Sequence, residues 1–91
     1  QFGLVTCFDM LEHLDEADVR VMRDELRRVL AAEGALLLSV SCRQAGTEDQ
    51  FGANLHRTIR PAEWWRNLFE PDELTIRSAD SDAILWWRKP A

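Results

Sequence analysis

Residues 2–40 set two short apolar runs on either side of one amphipathic stretch, and that succession restricts the fold more than any other feature of the chain. The first run, FGLVTCF, is nearly continuous in Phe2, Leu4, Val5, Cys7 and Phe8. Such a pattern suits a strand covered on both faces in a parallel sheet better than an alternating, half-wet one. From Asp15, a good N-cap type, Val19, Met22, Leu26, Val29 and Leu30 recur every three or four residues, with Arg20, Arg23, Asp24, Arg27 and Arg28 on the other side. Glu16 and Asp18 at the start of this helix, and Arg27 and Arg28 in its last turns, complement its dipole. Gly34 is the expected left-handed residue that ends it, and Ala35 to Val40, ALLLSV, is a second strand. Strand, helix and strand in this order predict a parallel, right-handed βαβ crossover.

At 91 residues the chain holds one domain at most, with a modest buried fraction. A hydrophobic content of 46% with 30% charged residues places it among folded proteins rather than disordered ones. The net charge of −5 lacks the basic footprint of a general nucleic-acid binder or an anionic-membrane binder. Cys7 and Cys42 are too few for a disulfide framework, so a reducing, cytoplasmic setting is expected. No apolar run approaches the roughly 20 residues of a membrane span, and no basic-then-apolar leader is present. The chain begins with Gln1, directly before a strand that should be paired on both edges, which reads as a fragment with an N-terminal part missing.

Beyond Val40, residues 41–54 are polar and Gly-bearing, with no helical or strand period. Loops longer than about 12 residues are frequently lids or binding loops, and Arg43, Glu48 and Asp49 beside His56 make a candidate substrate lid; the alternative is an ordinary surface excursion. Pro61 can open a helix at its first position, with Glu63 adding early negative charge, Trp64, Trp65, Leu68 and Phe69 on its apolar face and Pro71 stopping it. LTIRSA and AILWWRK, around the turn-forming Asp80-Ser81-Asp82, read as an antiparallel hairpin. The four tryptophans are expected to pack in the core and at its rim, although Trp86 and Trp87, adjacent on a strand, cannot both enter one core. Trp64 is the one to watch as a substrate platform.

The polar residues that carry chemistry follow the first strand directly: Asp9, Glu12 and His13 in DMLEH. Ligands of open α/β sheets gather at the carboxyl ends of strands, where these residues stand. If residues 9–13 form a helical turn, the three side chains share one face. Two carboxylates and an imidazole so placed need a cation or a proton to relieve them, and oxygen and imidazole donors suit magnesium, manganese, iron or zinc. The alternative is that Asp9 N-caps a short turn, Glu12 closes an acidic analogue of a capping box, and His13 lies on the helix surface. Cys7 is a poor nucleophile, since apolar surroundings raise a thiol's pKa.

The succession FGLVTCFDMLEHL, a capped helix ending RRVLAAEG, the strand ALLLSV and the closing strand pair resembles the C-terminal half of class I S-adenosylmethionine-dependent methyltransferases. The resemblance covers nearly the whole chain. It implies an α/β fold, the second half of a Rossmann-like sheet with strands in the order 4-5-7-6, the last strand antiparallel, and flanking helices. Residues 1–91 would be a partial methyltransferase domain without its N-terminal, cofactor-binding half. The first three strands, the Gly-rich turn and the acidic residue that hold S-adenosylmethionine have no counterpart here: no G-x-G occurs, and Glu33 precedes a single Gly34 where the family carries two glycines.

A narrower similarity links DMLEH to the ubiquinone-pathway O-methyltransferases and the small-RNA 2′-O-methyltransferases, whose Glu-x-x-Glu-His binds a divalent metal. It implies Asp9, Glu12 and His13 as ligands, with Asp replacing the first Glu, His56 in NLHRTIRP as a further ligand, and magnesium or manganese as the ion. Phe8 falls where those relatives touch the cofactor, and His13 could instead be a general base. The function implied is methyl transfer from S-adenosylmethionine to a small-molecule or glycan-type acceptor, at oxygen, by a longer enzyme of which this piece is inactive alone. The rival from another class is a non-catalytic, truncated methyltransferase-like module that docks on a partner.

Overall fold

The structure, a computed structural model, describes residues 1–43, 52, 54–77 and 82–91. In chain order the elements are β1 (Phe2–Phe8), a 3₁₀ turn (Leu11–His13), α1 (Glu16–Val29), β2 (Leu30–Ser41), α2 (Ala62–Phe69), β3 (Glu73–Arg77) and β4 (Asp82–Arg88). One four-stranded sheet runs in the order β1-β2-β4-β3. β1 pairs parallel with β2, while β4 lies antiparallel between β2 and β3. This is the expected strand order, with the last strand inserted in reverse.

All the helical packing falls on one side of the sheet. Cys7, Leu38, Leu85 and Leu74 line up across the four strands, and Leu36, Val40 and Ala83 share their face. Leu11, Val19, Trp65, Leu68 and Phe69 close over them to form a single core. The helical stripe behaves as its spacing dictates: Val19 is fully buried, and Met22 and Leu26 pack partly against the core. Trp65 is fully buried with Phe69 stacked on it, whereas Trp64 stays half-exposed between Arg20 and Arg60. Trp87 enters the core side under Arg27 and Trp86 takes the opposite face.

Several expectations about the ends of elements are corrected. β1 is an edge strand rather than one covered on both faces: Phe2, Leu4 and Phe8 lie open on the face opposite the helices, each more than half exposed. The left-handed residue after α1 is Glu33 (φ 65°), and Gly34 is not in that region. Gly34 is required for a different reason, because a Cβ there would sit 2.8 Å from the Ala31 carbonyl oxygen and 3.0 Å from that of Phe2. Two backbones meet too closely for a side chain. Helix α1 passes into β2 at Leu30, five residues earlier than the apolar run suggests, and Lys89 Nζ donates to the Arg27 and Leu30 carbonyls at that helix end. Asp15 holds the N-cap position of α1 without a side-chain capping bond. Pro61 is the N-cap of α2, one residue ahead of its expected place, and α2 ends with Glu70 left-handed before Pro71. The proposed lid residues Glu48 and Asp49 and the turn residues Asp80 and Ser81 lie outside the described residues.

Candidate functional site

Beyond Phe8 the chain does not enter a helix at once. Asp9 adopts a left-handed conformation (φ 52°), and the 3₁₀ turn starts only after Met10. Asp9 therefore falls outside the turn that carries Glu12 and His13, and the three do not share one helical face. A side chain other than Gly at that φ is uncommon and needs local support. Ser39, across from Phe8 on β2, supplies it. The Asp9 amide donates to the Ser39 carbonyl (2.9 Å) and to Ser39 Oγ (3.1 Å), and Ser39 Oγ donates to the Asp9 carboxylate (3.0 Å). The Asp9 carboxylate is thus engaged with β2 rather than capping the turn.

The segment before α2 is tied to the same turn. The amides of Arg57 and Thr58 both donate to the Glu12 carbonyl (2.8 and 3.0 Å), and Thr58 Oγ1 donates to the Leu14 carbonyl at 2.5 Å. His13 Nδ1 lies 3.1 Å from the Leu55 carbonyl. These bonds bring His56 edge-on to His13, with ring centroids 4.8 Å apart, and Glu12, His13 and His56 offer ligand atoms all within 4.8 Å of one another. Three of the four metal residues expected from the sequence converge. Asp9 is not among them.

The chemistry of this donor set fits a divalent cation on two counts. Glu12 is 1% exposed, and its Oε1 is buried with no hydrogen-bond partner among the described residues. A buried polar atom without a partner costs about 1–3 kcal/mol, a cost that a bound cation would offset. Each imidazole, moreover, directs Nδ1 at a carbonyl, His13 toward Leu55 and His56 toward Arg43 at 2.6 Å. A carbonyl only accepts, so in the neutral ring the hydrogen sits on Nδ1 and the lone pair on Nε2, the arrangement of metal-bound histidines. Sequence reasoning missed Ser39 and Thr58 as site residues; the one available signal was that Ser39 is a polar residue inside an apolar strand.

Near the site, burial and then the negative charge of Glu12 push the Cys7 thiol up from its ordinary value. The folded state therefore keeps the thiol proton more tightly than the unfolded chain. The stability this contributes is fully present below the unfolded thiol pKa and is lost as pH rises through the folded one. Alkylation by iodoacetamide at pH 8 is expected to be slower at Cys7 than in the urea-unfolded chain, read by peptide mass mapping; equal rates would contradict the burial argument. Away from the site, a groove of about 320 Å³ between α1 and α2 is lined by Arg20, Arg23, Arg27 and Trp64. Its cations have structural work, since Arg23 and Arg27 donate to the Leu68 and Phe69 carbonyls at the C-terminal end of α2.

No family model matches the chain, and no curated protein does. Among solved structures, the N-methyltransferase NodS from Bradyrhizobium japonicum WM9, in complex with S-adenosyl-L-homocysteine, is similar over 99% of this chain, with a TM-score of 0.64 and 22% sequence identity. The chain spans 47% of the length of that protein. At this identity the likeness establishes the fold, which is that of the C-terminal half of a class I methyltransferase.

Proposed function

We propose that the chain is the acceptor-side half of an S-adenosylmethionine-dependent methyltransferase, working within a longer enzyme in the cytoplasm. The observation that carries the proposal is the convergence of the partnerless, buried Glu12 Oε1 with two imidazoles at the carboxyl end of a sheet of methyltransferase fold. Glu12, His13 and His56 would hold a magnesium or manganese ion, with the Asp9–Ser39 bonds fixing the chain just ahead of them. Bound there, the ion would supply Lewis acidity toward an acceptor hydroxyl, which favours methylation at oxygen on a small-molecule or glycan-type acceptor.

The chain's own residues prepare the rest. In a reaction without the ion, His13, the exposed member of the cluster, is placed to take the acceptor's proton at Nε2 instead of ligating. Phe8, open at the end of β1, offers an apolar wall for the methyl donor. The missing N-terminal half would cover the open apolar face of β1 and pair with its outer edge, a surface that otherwise invites nonspecific association. The same open face supports the second reading, a non-catalytic module that docks on a partner.

Titration of Mn²⁺ into the chain, followed by electron paramagnetic resonance, tests the metal. One saturable site that is lost on His56→Ala supports the reading, and no saturable binding at millimolar Mn²⁺ removes it. Among the described residues no helix is long and apolar enough to cross a membrane, and no G-x-G occurs in the sequence. With no such turn to receive the donor, the 91 residues by themselves are expected to show no calorimetric affinity for S-adenosylmethionine; micromolar binding would overturn the assignment of a half-site.

A further inference from the structure

We infer that Thr58 is a positioning residue whose hydroxyl holds His56 against His13 and Glu12, so that the bond to the Leu14 carbonyl sets the geometry of the site. The inference rests on the metal reading above for its functional meaning, but its structural content stands apart from it.

Thr58 is 1% exposed, so its hydroxyl has no access to solvent and must be satisfied internally. It reaches 44 residues back to donate to the Leu14 carbonyl, where the 3₁₀ turn ends. Leu14 is the residue after His13, and the Thr58 amide donates to the carbonyl of Glu12, the residue before it. Thr58 therefore holds the residues on each side of His13. His56, two residues upstream, is carried along by the same bonds, and its ring bonds to the Arg43 carbonyl and packs edge-on against His13. Nothing in this arrangement requires Thr58 to touch an ion or a substrate. Groups that orient the ligands of a metal alter its affinity by roughly 10- to 100-fold when removed.

The test uses the full chain and two variants. Thr58→Val keeps shape and loses the hydroxyl; Thr58→Ser keeps the hydroxyl and loses a methyl. Without metal, the nuclear Overhauser contact between the His13 and His56 rings is expected in the parent and in Thr58→Ser and is expected to vanish in Thr58→Val. With Mn²⁺, Thr58→Val is expected to weaken binding roughly tenfold and Thr58→Ser to bind as the parent does. An intact ring contact in folded Thr58→Val, or full loss in Thr58→Ser, overturns the inference. If the valine variant does not fold, Thr58→Cys, a weaker donor of similar size, is expected to give a diminished ring contact, and an undiminished one overturns the inference equally. Should the parent bind no Mn²⁺, the metal reading fails, while the ring contact still decides the role of Thr58.

Discussion

Glu12→Met is expected to make the metal-free chain more stable and to abolish its response to Mn²⁺. The side chain is buried, one carboxylate oxygen has no partner, and methionine fills nearly the same volume without polar atoms. Replacing an uncompensated buried polar group by an apolar one removes a penalty of about 1–3 kcal/mol. In a domain of this size each kcal/mol shifts Tm by about 4–8 °C. The parent should overtake the variant once Mn²⁺ is added, because a ligand at 100 times its Kd stabilises by about 2.7 kcal/mol. Thermal scans of both proteins across a metal series would therefore cross. A destabilised Glu12→Met with no metal present would mean that the carboxylate is satisfied within the protein, and the argument for a cation would lose its main support.

The second large effect is expected at Gly34. In Gly34→Ala the new Cβ meets the carbonyl oxygens of Ala31, Phe2 and Gly3 at 2.8, 3.0 and 3.2 Å. All three are backbone atoms, and two belong to β1, so relief requires β1 to move away from β2. Overpacking of this kind costs about 1–3 kcal/mol. The Gly34 carbonyl also accepts from the Lys89 amide, so the shift would propagate to the end of β4. Urea denaturation is expected to show the loss, and hydrogen exchange is expected to show it first at the β1 amides. Glu33→Gly provides the contrast: relief of the left-handed Glu33 is expected to leave stability unchanged or raise it by about 1 kcal/mol. If Gly34→Ala proves neutral, the close approach of the two backbones is not as described.

These two residues also mark what was legible in the sequence. The apolar runs, the stripe from Val19 to Leu30 and the tryptophan pairs disclosed the elements and the core face, because burial leaves a periodic trace, whereas the strand order came from the resemblance to methyltransferases. At Glu33-Gly34 the trace was misleading: a glycine after a helix usually supplies the positive φ, and here its neighbour does so while the glycine makes room for β1. Asp9, Glu12 and His13 were visible as a cluster, but not that Asp9 would be turned toward Ser39, since that depends on a partner 30 residues away. His56 was found through resemblance to metal-binding relatives rather than spacing. The buried hydroxyl of Thr58, in a polar stretch with no period, left no sequence signal that separates it from a surface threonine.

The ties between Thr58 and the turn bear on how tightly a ligand can be held. Bringing the ends of a flexible segment of about 15 residues together costs roughly 2 kcal/mol in chain entropy, growing with the logarithm of its length. Were His56 free to wander beyond the end of β2, an ion joining it to His13 would have to meet that cost from its own affinity, roughly thirtyfold in Kd. In this protein the hydrogen bonds of Arg57 and Thr58 to the Glu12 and Leu14 carbonyls close the segment during folding. The entropy is surrendered before any ion arrives.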